Sequence, residues 1–387
     1  MSKAGIKWRF PDLFTKEGID RCYEAALDAI HLDSHPGWPF CGFGTNKKVL
    51  LALEHDIKSA VILRVRNILD CKHDFLLNFE DPTSWLRDGL RDPHRIFIKN
   101  ELKPARKKTG RIVCGESIVD QLVHRMFFSN FSQAEADAFP AGPNMKGVGF
   151  NADKACKIVD QYNHWTKEFP GCSRAKSDVG GWEKGYSLDC ADSVTKVMLE
   201  TCENPEDAKK ALEWWKYSLI SNLIVDDDGN ILQLNNPQMM KSGNFLTNSG
   251  NGVARLVAAL LAGSRYAKTN GDDCYEFFNC STDHLKAAYS SMNIDLRDFG
   301  ILHDEVDFCS HTFGGNDQEG YFCYLDNWQR TVYDAVIARD VDLGSIDSWC
   351  EELLSHPDSN LKAQFVRLLT EKCKRGHVKC PFAFRGT

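Results

Sequence analysis

Three aspartates carry the strongest chemical signal in the sequence. Asp272 and Asp273 follow Gly271 between two short runs at 265–270 and 274–278, and Asp178 stands far upstream, after a run at 174–177. Carboxylates of this kind can hold two divalent cations about 3.5–4 Å apart, which activate a hydroxyl and steady the group leaving a phosphorus centre. That chemistry needs acids delivered by separate stretches of backbone. Gly-Asp-Asp by itself is weak, because Gly and Asp also suit a plain tight hairpin turn. Asp178, expected at a strand end just before a helix, supplies the second element.

Between these acids lies Ser242-Gly243-Asn244-Phe245-Leu246-Thr247-Asn248-Ser249-Gly250-Asn251, an SGxxxTxxxN run. Gly243 and Gly250 would let backbone come close to a ligand, and Thr247 and Asn251, four apart, share a face once a helix has begun. Hydroxyl and amide groups on that face could read a ribose; the plainer reading is an N-capped helix after a flexible loop. Further upstream, Arg91, Arg95, Lys99, Lys103, Arg106, Lys107, Lys108 and Arg111 face only Asp92 and Glu101 in the same stretch. Such focusing suits a phosphate-handling channel, although a solvated surface has the same composition.

The elements that must position these residues are legible from periodicity. Stretches at 19–30, 58–70 and 118–129 are amphipathic at helical spacing, with Gly/Pro punctuation at 35–39 and 139–143. Residues 187–202 read as a helix that Asn204-Pro205 ends while opening another through Trp214 and Trp215. The period then changes: 223–225, a polar turn at 226–230 and 231–234 predict a β-hairpin. Its three aspartates serve turn geometry rather than calcium, since no Glu closes the loop. An apolar helix ending near Gly263 follows the 242–252 loop.

At 387 residues the chain exceeds one compact core and suits a centre with two flanking subdomains. No repeat, low-complexity tract or clean linker divides it, so subdomains must interleave. With 43% hydrophobic and 26% charged residues it has the composition of a globular protein. A net charge of −7 argues against coating nucleic acid with the whole surface. The longest apolar stretch, 256–262, is far short of the ~20 residues of a membrane span, and the N-terminus lacks a secretory pattern, so a soluble, unexported chain is expected. Fifteen cysteines without a CxxC pair fit reduced thiols. Cys373, His377 and Cys380 have ligand types, but three ligands at that spacing match no zinc finger.

Taken in order, these stretches resemble the polymerase motifs of positive-strand RNA viruses. Asp178-Val179-Gly180-Gly181-Trp182 is similar to motif A, the SGxxxTxxxN run to motif B and Gly271-Asp272-Asp273 to motif C. Lys99-Asn100-Glu101-Leu102-Lys103 through Arg111 resembles motif F, and Ser34-His35-Pro36-Gly37-Trp38-Pro39 resembles motif G beside the template path. Phe308-Cys309-Ser310-His311 looks like the FCSH element that sobemovirus-like polymerases carry as motif E, the most lineage-specific of the matches. The resemblance covers residues 34–313.

The resemblance implies an α+β right hand: fingers over 1–171 with an insertion at about 204–236, an antiparallel-sheet palm with flanking helices over 172–313, and a small helical thumb over 314–387. It implies an RNA-dependent RNA polymerase whose partners are an RNA template and product duplex, nucleoside triphosphates, and viral or host replication proteins in the host cytoplasm. Asp178, Asp272 and Asp273, with the Val179 carbonyl, would bind two Mg²⁺ ions, for which Mn²⁺ can substitute. Lys99, Lys103 and Arg111 would hold the triphosphate, and Glu183, Ser242, Gly243, Thr247 and Asn251 the nucleotide. Ser34, Gly37, Pro39, Arg106, Lys107 and Lys108 would line the RNA path. Glu183 departs from the pattern, which usually has Asp there. For the motif D base the candidates are Lys286 and Arg297; arginine is a poor proton donor, so Arg297 would act electrostatically. The rival readings are a reverse transcriptase, which the Thr247 and Asn251 arrangement argues against, and an RNA-binding replication factor without turnover.

Overall fold

The computed structural model describes residues 5–99, 111–146, 149–150, 152–221, 223–226, 228–234, 239–338 and 342–376. Helices begin where side chains can satisfy the free amides of a first turn. Thr15 caps Lys16–Asp28, Ser117 caps Ile118–Asp137, Ser187 caps Leu188–Thr201 and Ser281 caps Thr282–Ser291. Pro205 opens Pro205–Ile220, where its missing N–H costs nothing. Two helices outrun their sequence expectation. Asn46–Leu69 contains the expected 58–70 stretch but continues N-terminally across a kink at Leu53, and Ile118–Asp137 continues because Phe131 and Glu135 are also buried.

Among the described residues eleven strands form three sheets. β1 (His94–Lys99), β2 (Arg111–Gly115), β4 (Leu223–Val225) and β5 (Ile231–Gln233) form one, in the order β2-β1-β4-β5, with β1 and β4 parallel. β4 and β5 are the expected hairpin, and Asp226 closes its turn by accepting the Asp228 and Asn230 amides. A second, wholly antiparallel sheet has the order β6-β7-β3-β8, with β3 (Ser173–Val179), β6 (Ser264–Asn270), β7 (Asp273–Phe278) and β8 (Leu296–Ile301). The third, also antiparallel, joins β9 (Val306–Phe308), β10 (His311–Asn316) and β11 (Gly320–Leu325).

The second sheet separates two cores, and β7 shows how. Cys274 and Phe278 pack toward the helices Thr247–Leu261 and Thr282–Ser291, whereas Tyr275 and Phe277 pack against Tyr162 of the helix Ala152–Glu168. This is the two-residue alternation of a strand buried on both faces. A third and larger core runs from Trp8 to Ala254 and unites the N-terminal helices with Leu188–Thr201 and Pro205–Ile220. Three helices, Trp328–Ile337, Leu343–Leu354 and Ser359–Arg375, follow β11, and Trp328 meets Phe365 at 5.3 Å. The cysteines among the described residues are free thiols, and no described helix is long and apolar enough to cross a membrane.

Candidate active site

Antiparallel register brings the three aspartates together. Ser177 of β3 lies opposite Cys274 of β7, so Asp178 and Asp273 are the next facing pair, and Asp272 sits at the tip of the β6–β7 hairpin. Asp178 lies inside β3 rather than beyond its end, because the strand runs two residues past Ser177 to pair with β8. Its carboxylate accepts the Val179 amide at 2.7 Å.

Electrostatics record the crowding. Burial first, then the charges of Asp178, Asp273 and Glu183, push the Asp272 carboxyl up to about 7. Burial and Asp178 push Asp273 up to about 6, while a hydrogen bond from the Cys309 thiol and the charges of Arg255 and Lys176 act the other way. Glu183 belongs to the short helix Trp182–Gly185, and its carbonyl accepts the Met240 amide at 2.8 Å. Among the described residues no three His, Cys, Asp or Glu side chains stand close enough to enclose an ion alone. The donor set nevertheless fits Mg²⁺ or Mn²⁺: carboxylates are hard oxygen ligands, and Mg²⁺ completes its shell with water and phosphate oxygens.

The 242–251 run lies against this site but spends much of its chemistry on the protein itself. The Ser242 hydroxyl donates to the Ile112 carbonyl at 3.1 Å, and the Thr247 hydroxyl to the Lys241 carbonyl at 2.9 Å. Gly243 has φ of +126°, and a Cβ there would stand 2.3 Å from the Cys114 carbonyl oxygen. On its Cβ side Gly243 thus lies close against β2, and Gly250 likewise packs on Met240 and Trp215. Asn251, in the first turns of Thr247–Leu261, keeps a buried Oδ1 without a hydrogen bond. Asn248 reaches Asn270 at 2.9 Å and so ties the helix to the acidic hairpin.

Beside the run, β1 and β2 place Lys99 opposite Arg111 in register. Lys103, Arg106, Lys107 and Lys108 lie outside the described residues. Arg91 leaves the basic set expected for a channel: it is buried, donates to the Ser218 carbonyl and faces His94, because a guanidinium this far inside must bind protein acceptors. The Ser34–Pro39 segment is stitched to the start of Ile118–Asp137 by the Ile118 amide on the Pro36 carbonyl at 2.7 Å. Gly37 is buried there in the left-handed region, while Ser34 and Pro39 are exposed.

The motif D candidates separate. Arg297 faces Asp178 across β3 and β8, and its guanidinium fills the space a side chain at Gly180 would take. Lys286 instead lies over the Phe299 ring at 4.6 Å. Cys309 and Ser310 lie between strands rather than within one. They form a two-residue turn between β9 and β10, both with positive φ, and Cys309 Sγ meets Asn270 Nδ2 at 3.4 Å. Cys373 is buried in Ser359–Arg375, and His377 and Cys380 lie outside the described residues.

Three residues escaped sequence reading. Asn244 donates to the buried Glu116 at 2.6 Å and accepts the Leu246 amide at 2.9 Å, thereby shaping the loop. Arg255 and Glu276 lie beneath the acidic hairpin. A single arginine inside an otherwise apolar helix was the one available signal.

Residues 191–344 match the family described as viral RNA-directed RNA-polymerase. The chain is 28% identical to the replicase polyprotein P2AB of Southern cowpea mosaic virus over 392 residues, 96% of this chain and 38% of that polyprotein. It is 31% identical to protein P1-P2 of Pea enation mosaic virus-1 (strain WSG) over 355 residues, 86% of this chain and 28% of that protein. Against the RNA-directed RNA polymerase of Mushroom bacilliform virus the identity is 26% over 321 residues, 78% of this chain and 73% of that protein. The chain thus spans well under half the length of the first two.

Proposed function

We propose that the chain copies an RNA template into RNA, joining nucleoside triphosphates at the Asp178–Asp272–Asp273 site as part of viral genome replication in the host cytoplasm. The observation that carries this reading is the meeting of Asp178 with the β6–β7 hairpin, where burial and then the neighbouring acid charge raise both Asp272 and Asp273. Asp178, Asp272 and Asp273, with the Val179 carbonyl, would hold two Mg²⁺ or Mn²⁺ ions, which when bound activate the primer hydroxyl and offset charge on the leaving pyrophosphate.

The protein's own groups bind and orient. Lys99 and Arg111, paired in register, and Lys103 supply positive charge for the triphosphate. Arg297, half over the backbone that follows Asp178, adds charge without giving up a proton. Asn251, with its unspent amide oxygen, and Glu183 are the groups that meet the ribose and its 2′-hydroxyl. Ser242, Gly243 and Thr247 hold the loop that presents them. Ser34, Gly37, Pro39, Arg106, Lys107 and Lys108 guide the RNA. In this reading the sheet β6-β7-β3-β8 is the palm of a right hand, residues 1–171 with an insertion at about 204–236 the fingers, and 314–387 the thumb.

Primer extension on a defined RNA tests the proposal, with ribo- and deoxyribonucleotides in parallel and Asp178→Ala and Asp272→Ala as controls. RNA synthesis that needs Mg²⁺ or Mn²⁺ and falls at least about 10³-fold in each variant is expected. RNA binding without synthesis would leave a replication factor, and preference for deoxyribonucleotides a reverse transcriptase.

A further inference from the structure

The helix Thr247–Leu261 packs an almost wholly apolar face on the second sheet, yet it buries one arginine there with no exposed surface. Arg255 donates from Nη2 to the Ser177 hydroxyl at 2.6 Å, from Nη1 to the Tyr289 hydroxyl at 2.7 Å, and from Nε to the Asp272 carbonyl at 3.3 Å. Its counter-charge is Glu276, 3.8 Å from Nη2, and Glu276 in turn accepts from Tyr289 at 2.8 Å and from Ser264. The fork therefore spans the residue before Asp178 and the backbone of Asp272 itself. It does so from a helix whose first turns carry Thr247 and Asn251.

A guanidinium offers five donors in one rigid plane, so these bonds cannot be made independently of one another. Asp178 sits in β3 and Asp272 at the β6–β7 tip, and like-charged carboxylates brought side by side repel, so a contact that ties the two backbones sets how far apart they stand. Arg255 touches neither carboxylate. It holds the two pieces of backbone that carry them.

We propose that Arg255 is a positioning residue: it clamps the β3 end and the β6–β7 tip at the separation that lets Asp178 and Asp272 share divalent cations. The inference rests on the polymerase reading for its importance to synthesis, but its direct consequence is metal affinity, which is measurable without RNA. Groups beneath a metal site typically change its affinity about 10–100-fold when removed.

The test titrates Mn²⁺ alone into the full chain by electron paramagnetic resonance, comparing unmutated protein with Arg255→Lys, Ser177→Ala and, as site control, Asp272→Asn. Primer extension and thermal unfolding are run on the same preparations. Lysine keeps the buried charge opposite Glu276 but has no planar fork, so Arg255→Lys is expected to weaken Asp272-dependent Mn²⁺ binding about tenfold. The synthesis rate should fall with it and recover partly at high Mn²⁺, with KM for nucleotide little changed. Ser177→Ala, which removes one acceptor, should weaken Mn²⁺ binding severalfold even if Arg255→Lys fails to fold.

Mn²⁺ affinity equal to that of the unmutated protein in both variants, or in Ser177→Ala alone if Arg255→Lys does not fold, overturns the proposal. So does activity lost only in proportion to unfolded protein. If the unmutated chain binds Mn²⁺ through Asp272 but makes no RNA, the polymerase reading fails and the Arg255 clamp is judged on the Mn²⁺ titrations. If it binds no Mn²⁺ through Asp272, the clamp fails as well.

Discussion

Asp272 and Glu276 lie four positions apart on one hairpin, and the fold treats them in opposite ways. Glu276 is fully buried, yet Tyr289 and Ser264 both donate to its Oε2 and the Arg255 guanidinium stands 3.8 Å from Oε1, which makes no hydrogen bond, so its partners come from three elements. Asp272, nearer the surface, faces other acids and is pushed up to about 7. One carboxylate holds the sheet to its helices; the other is held in a place that costs stability while it is ionised. The difference separates framework from site more sharply than burial does, since the deeper acid is the better satisfied one.

Substituting Asp272 tests this contrast most severely. If Asp272 is a cation ligand, as proposed, Asp272→Asn should lower RNA synthesis at least about 10³-fold. It should also stabilise the metal-free protein. The sign follows from linkage: with its folded value raised from 3.8 to about 7, the folded state holds the proton more tightly, so stability is lost as pH rises between those values. In EDTA the unmutated chain should unfold more easily at pH 8 than at pH 5. Asp272→Asn should be about 1–2 kcal/mol more stable at pH 8, a figure reduced from the full shift because the group meets water at the cleft. Denaturant titrations at both pH values measure this, and an asparagine variant less stable at pH 8 would break the contrast.

Glu276→Gln should do the reverse. It keeps the side-chain shape but leaves the Arg255 charge unanswered in the core, which costs about 3 kcal/mol. Urea unfolding of this variant measures the loss, and a change below about 1 kcal/mol would mean the pair is not the framework described.

How much of this was legible in the sequence follows the same division. The acids of the site could be read, because Gly-Asp-Asp between strands and an Asp near a strand end are local patterns. The hairpins at 223–234 and 265–278 and six of the helices were legible for the same reason, through period and caps, whereas Ala152–Glu168 and Thr282–Ser291 were not. Glu276 read as one residue of a short strand, since its partners Arg255, Ser264 and Tyr289 lie on three other elements. Gly243 reads as a place of close backbone approach, but a sequence does not show that Cys114 is one of the groups approached. Arg91 was counted among channel bases because charge is visible in sequence and burial is not. Asn46–Leu69 was seen only in part, since the kink at Leu53 breaks its period.

The smallest expected effect sharpens the boundary between the two kinds of acid. Glu183 contributes to the crowding at Asp272 through its charge and to the framework through its backbone, which accepts the Met240 amide just ahead of the 242–251 run. Glu183→Asp keeps the charge and the backbone link and withdraws the carboxylate by one methylene. Stability should stay within about 0.5 kcal/mol, as for substitutions that leave burial and pairing alone. Discrimination between ribo- and deoxyribonucleotides should persist but shift about threefold, the scale of one hydrogen bond altered in geometry rather than lost. Competing the two nucleotide types in primer extension measures the shift. Unchanged discrimination and unchanged rate would place Glu183 on the framework side, its side chain peripheral to the nucleotide.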